Sequence, residues 1–61
     1  MSVYRLLYFN GGRLERSEVI EAPDRIAAIQ QASGQSRNRT IEIWRGDEKL
    51  AIVHPAPEAS Q

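Results

Sequence analysis

The chain has 61 residues with eight basic and eight acidic side chains, so it is formally neutral. A dedicated nucleic-acid or anionic-membrane binder carries a basic excess, which is missing here. There is no cysteine, which excludes disulfides and thiolate zinc sites. A domain this small buries only about 60% of the surface its unfolded chain exposes, and oligomerisation is the remaining way to reinforce it. No apolar run approaches the roughly 20 residues of a membrane span. The N-terminus does not read as a signal peptide, since a basic segment, an apolar stretch and a small-residue cleavage site are not found in sequence. A cytoplasmic protein is the expectation.

Val3-Tyr4-Arg5-Leu6-Leu7-Tyr8-Phe9 is rich in aromatic and branched residues and ends at Asn10-Gly11-Gly12. This predicts a strand leading into a tight hairpin, because Asn and Gly tolerate the positive φ of a primed turn. By alternation, Tyr4, Leu6 and Tyr8 share one face, while Val3, Arg5, Leu7 and Phe9 share the other. Arg13 to Ala22 reads as the returning strand. Its diluted apolar pattern, with charges between Leu14 and Ile20, suits an edge strand carrying a bulge.

Pro23-Asp24 predicts a helix start, with proline in the first turn and Asp24 at the positive end. The helix is expected through Arg25–Ser33, with Ile26, Ile29 and Ala32 or Ser33 as its apolar stripe and Gly34 as its C′ stop. Gln35 to Arg39 is a polar connection. Thr40 to Val53 then reads as a second hairpin around Arg45-Gly46-Asp47. Ile41 and Ile43 alternate with Glu42 and the only tryptophan, Trp44. In the last strand, either Leu50 and Ile52 or Ala51 and Val53 face the core. The domain is expected over residues 1–54, with residues 55–61 as a disordered, proline-containing tail.

The expected fold is therefore α+β, a two-layer ββαββ sandwich with a four-stranded antiparallel sheet and one helix on one face. Tyr4, Leu6, Tyr8, Leu14, Ile20, Ile41 and Ile43 are assigned to the helix side, beneath Ile26 and Ile29. Strand order is not legible. The opposite face would hold Val3, Leu7, Phe9, Val19 and Trp44, with Arg5 and Glu42 among them. Burying five such side chains is worth on the order of 7–15 kcal/mol per subunit. Association costs about 4–15 kcal/mol, so a homodimer or another protein docked on this face is the expected partner.

The chemical motifs are weak. Arg45-Gly46-Asp47 matches a cell-adhesion tripeptide, but Gly and Asp are also what a hairpin loop needs. Asn38-Arg39-Thr40 matches a glycosylation sequon without a secretory context. Gly11-Gly12 precedes a strand and not a helix N-terminus, so it lacks the geometry of a phosphate cradle. His54 is the only histidine, too few for a zinc site, and no serine spacing marks a nucleophile elbow. Glu15, Glu18 and Glu21 do not share one strand face. These readings predict no catalytic residue, cofactor or metal. The sheet aromatics Tyr4, Tyr8, Phe9 and Trp44, with Arg5, Arg37, Arg39 and Arg45, resemble the stacking surfaces of single-strand binders.

Four segments carry a family resemblance: Tyr4-Arg5-Leu6, Asn10-Gly11-Gly12-Arg13-Leu14, Glu21-Ala22-Pro23-Asp24 before an Ala-rich helix, and Ile41-Glu42-Ile43-Trp44-Arg45-Gly46. Over residues 3–54 the chain resembles a group of small bacterial proteins of ββαββ order, common in alphaproteobacteria and without an established activity. The resemblance implies the fold and transfers no functional residue. The functional expectation is a non-enzymatic protein-interaction module that homodimerises through its sheet. The alternative is a weak single-stranded nucleic-acid binder.

Overall fold

In a computed structural model, which describes residues 1–36 and 39–55, five elements follow in the order ββαββ. They are β1 (Ser2–Asn10), β2 (Arg13–Ala22), α1 (Arg25–Gln35), β3 (Thr40–Arg45) and β4 (Glu48–Val53). The strands form one open antiparallel sheet of order β2-β1-β3-β4. Each hairpin closes through a two-residue loop. Gly11 and Gly12 both have positive φ, at 63° and 79°, as a type I′ turn requires. In the second loop Gly46 alone is positive, at 64°, which matches a type II′ turn with Gly at its first central position.

Tyr4, Leu6 and Tyr8 from β1 and Ile41 and Ile43 from β3 are almost wholly buried beneath the helix. The central strands thus supply the large core side chains, and Ile20, Ile29, Leu50, Ala51 and Val53 pack around them. The helix contributes Ala28 and Ala32, both 0% exposed. These sit four residues apart on one face, and small side chains let the helix lie close to the sheet. Ile26 departs from the sequence expectation: it is 65% exposed, because Ala28 and Ala32 take the inward face and turn Ile26 away from it.

The helix starts at Arg25 as expected, while the place of Pro23 and the C-terminal boundary differ from the expectation. Asp24 is the N-cap, accepting from the Ala27 N–H at 2.9 Å, and Pro23 precedes the cap instead of occupying the first turn. The helix continues through Gly34 to Gln35, with Ser36 as its C-cap. Gly34 does not have positive φ, so it is an ordinary helical residue and not the left-handed stop.

Each hairpin contains a register shift, between Tyr8 and Phe9 opposite β2 and between Ile43 and Trp44 opposite β4. In β2 the extra residue is Glu15, since Tyr8 pairs with Arg16 and Phe9 with Leu14. One extra residue reverses which face a side chain takes. Leu14 is therefore opposite Phe9 on the uncovered face and 54% exposed, not on the helix side as its parity had indicated. In β4 the extra residue is Leu50, with Ile43 opposite Ala51 and Trp44 opposite Lys49. The shift lets Leu50 pack against the core together with Ala51 and Val53, which resolves the two phases left open by the pattern. Ile52 faces outward opposite Glu42. Of the proposed tail, residues 56–61 lie outside the described residues.

Candidate functional site: the uncovered sheet face

The uncovered face is built in register rows. Val19, Arg5, Trp44 and Lys49 form one row across β2, β1, β3 and β4. Ser17, Leu7, Glu42 and Ile52 form the next, and Leu14, Phe9 and Thr40 follow. All five residues expected at an interface, Val3, Leu7, Phe9, Val19 and Trp44, thus share this face, and Leu14 and Ile52 join them. The bulges concealed those two, because strict alternation assigned Leu14 to the other side and left Ile52 ambiguous.

The seven are unequal. Leu7, Phe9 and Trp44 are already half-buried by their neighbours, whereas Val3 is 55% and Val19 64% exposed. The remaining gain on covering the face is consequently smaller than a count of side chains suggests. Four side chains with about half their area still exposed, Val3, Leu14, Val19 and Ile52, offer roughly 3–6 kcal/mol per subunit.

Trp44 is held by its strand neighbours. Its Nε1–H donates to Glu42 Oε1 at 3.0 Å, so the indole's polar edge is satisfied within the chain. Lys49 Nζ is 3.8 Å from the other Glu42 oxygen and 6.0 Å from the Trp44 ring centroid. Beside this cluster a recess of about 290 Å³ opens between Arg5, Leu7, Trp44, Gly46 and Asp47. Arg5 lies opposite Trp44 in the ladder, yet among the described residues it neither stacks on an aromatic ring nor forms an ion pair.

Of the four arginines considered for nucleic-acid contact, the three among the described residues are not brought together. Arg5 is on the uncovered face. Arg45 lines a groove of about 430 Å³ on the helix side, with Tyr4, Asp24, Arg25, Glu48 and Leu50 among its walls. Arg39 is bound through Nε to Glu15 Oε1. Arg37 lies outside the described residues. The Arg45-Gly46-Asp47 tripeptide is likewise split, with Arg45 lining the helix-side groove and Asp47 the opposite recess. Two of the four aromatics, Tyr4 and Tyr8, are core residues and offer no stacking surface.

A second polar cluster sits at the rim of the helix layer. The Tyr8 hydroxyl lies 2.7 Å from Glu18 Oε1 and 3.1 Å from the Gln35 side-chain oxygen. A phenol has one proton to donate, so it serves Glu18, and a turn of the Gln35 amide presents its NH₂ to the phenolic oxygen. Arg16 covers the Tyr8 ring at 4.4 Å. Burial raises the Tyr8 hydroxyl above its ordinary value, Glu18 raises it further, and Arg16 opposes both. At the bulge, Glu15 is held below the usual carboxylate range by hydrogen bonds from Arg39 and then Asn10. Both clusters explain local structure. Among the described residues no group of three or more His, Asp or Glu side chains is placed to hold a metal, and no helix is long and apolar enough to cross a membrane.

Fold and face together define a small α+β protein whose sheet is covered on one side only. No known protein family, no curated protein and no solved structure matches the chain.

Proposed function

We propose that this chain is a non-enzymatic protein-interaction module that pairs with a second copy of itself through the uncovered sheet face. The observation that carries the reading is the distribution of apolar side chains. Val3, Leu7, Phe9, Leu14, Val19, Trp44 and Ile52 span all four strands on the side opposite the helix. A face shared between two copies must be self-complementary, and formal neutrality favours that arrangement over self-repulsion.

The interaction is weak by size. Four strands at about 4.8 Å spacing give a face roughly 19 Å wide, and the short strands β3 (Thr40–Arg45) and β4 (Glu48–Val53) make it roughly 20 Å long, so its area of roughly 400 Å² is below the ~800 Å² per partner of a standard interface. Covering both copies yields about 6–12 kcal/mol, against an association cost of about 4–15 kcal/mol. A dimer in the micromolar range or weaker follows. Sedimentation equilibrium from micromolar to millimolar concentration tests it, with Val19→Asp as the control: the wild type shifts to dimer and the variant stays monomeric. A wild type that is monomeric throughout overturns the reading.

Single-strand binding has less support. Only Trp44 and Phe9 remain as stacking aromatics, and Arg5, Arg39 and Arg45 are dispersed over two faces and one end of the sheet.

A further inference from the structure

Independently of the sheet dimer, we propose that the groove at the helix N-terminus binds a free α-amino acid with an apolar side chain, as its zwitterion. The groove, of about 430 Å³, lies between the start of α1 and the ends of β1, β3 and β4. That is a size typical of small-molecule sites. One of its walls is Tyr4, which is only 1% exposed. The Tyr4 hydroxyl makes no hydrogen bond among the described residues. Yet no sealed polar side-chain atom lacks a partner there, so this hydroxyl is not sealed. The accessible 1% of Tyr4 is therefore its hydroxyl, the polar tip of a buried ring, presented to the groove.

Four charged side chains share the groove with this hydroxyl: Asp24 and Arg25 at the helix start, Arg45 and Glu48 on the second hairpin. Arg45 and Glu48 are direct partners across the β3–β4 ladder, where opposite charges ordinarily pair. Among the described residues neither forms an ion pair, and neither do Asp24 and Arg25. Two cations and two anions thus line one groove without neutralising each other. Such a lining disfavours a phosphate dianion, which the carboxylates repel. It equally disfavours a divalent cation, which the guanidinium groups repel. A ligand carrying one charge of each sign a few bonds apart satisfies both pairs.

The donors for a carboxylate are the guanidinium groups of Arg25 and Arg45 and the Tyr4 hydroxyl. Arginine holds a carboxylate through two parallel N–H bonds, and such charge-assisted bonds are the stronger kind. The helix start adds to them. Asp24 accepts from the N–H groups of Ala27 and Ala28, so those of Arg25 and Ile26 remain at the positive end of the helix dipole. The acceptor for the ammonium is Glu48, because Asp24 is already engaged in capping. The apolar side chain is received by Leu50 and Ile26. Ile26 is 65% exposed and turned away from the core, and an apolar lip on this groove gives that exposure a use.

The test titrates the full chain with L-leucine and follows the backbone amides by two-dimensional NMR, with N-acetyl-leucine, leucinamide and inorganic phosphate as comparison ligands. Leucine should give saturable shifts at the Arg25 and Ile26 amides. Each analogue lacking one charge should bind at least about tenfold more weakly, since it leaves a charged partner unmatched. Arg45→Gln and Glu48→Gln, both at exposed positions, should each weaken leucine about tenfold. Tyr4→Phe keeps the buried ring, loses only the hydroxyl and should weaken leucine severalfold. Far-UV circular dichroism checks folding, and should Tyr4→Phe unfold, the two hairpin variants decide. No saturable shift up to the solubility limit of leucine overturns the proposal. N-acetyl-leucine binding as tightly as leucine overturns it too and assigns the groove to a simple carboxylate, such as a peptide C-terminus. Phosphate binding more tightly than leucine, or leucine shifts unchanged in Arg45→Gln and Glu48→Gln, likewise overturns it. None of these outcomes bears on the sheet dimer, which sedimentation decides separately.

Discussion

The indole N–H of Trp44 donates to Glu42 Oε1 at 3.0 Å, two residues back on the same strand and the same face. An uncovered sheet face thus carries an aromatic ring whose polar edge is already satisfied, leaving its apolar surface for contact. Glu42→Ala frees that N–H and deprives Lys49 of its carboxylate. We expect a cost of about 0.5–1.5 kcal/mol in urea unfolding, since the bond is only partly sheltered. On the proposed sheet dimer, the Trp44 emission should shift to the red on dilution as the ring enters water, and a dilution series of fluorescence spectra reads it directly.

Ala32 is 0% exposed beneath the helix, whereas Ile26 is 65% exposed. Ala32→Leu forces the helix off the sheet and should destabilise by about 1–3 kcal/mol. Ile26→Ser removes a large apolar side chain yet should stay within about 0.5 kcal/mol of wild type. Thermal or denaturant unfolding of the two variants gives the ranking, which is the reverse of what residue size alone predicts.

Gly34 lies inside the helix, without positive φ and with open space where a Cβ would stand. Alanine there restricts the unfolded chain without strain in the folded one. Gly34→Ala should therefore raise stability by about 0.4–1 kcal/mol. A left-handed helix stop would respond in the opposite sense. Asp24→Ala, which removes the acceptor for the Ala27 N–H, should lower stability by about 1 kcal/mol.

Two side chains tie stability to pH at opposite ends of the scale. Tyr8 is raised above 10.0 by burial and then by Glu18, so the folded state holds its proton more tightly than the unfolded state does. Its contribution is complete below the unfolded value and is lost as pH rises through the folded one. Glu15 is lowered below 4.5 by Arg39 and Asn10, so its contribution is complete above the unfolded value and fades as pH falls through the folded one. Tyr8→Phe should flatten the alkaline limb of a stability profile, and Glu15→Gln should soften the acid limb. Urea midpoints measured across the pH range separate the two.

The sequence by itself determined the element order, both turns and the central core, because these depend on local patterns. Alternation assigned Tyr4, Leu6, Tyr8, Ile41 and Ile43 to one face, and paired glycines marked a loop needing positive φ. The same alternation gathered Val3, Leu7, Phe9, Val19 and Trp44 on the other face. Only the tertiary structure decided the strand order, since the pairing of β1 with β3 joins segments separated by the helix and leaves no local trace. It also decided the faces of Leu14 and Leu50. A bulge forms where twist and packing favour one extra residue between two strands, and that residue reverses the parity from which a face is read. The position of Ile26 was decided in the same way: helix periodicity admits several stripes, and the inward one is the stripe whose small Ala28 and Ala32 allow close approach to the large side chains of the sheet.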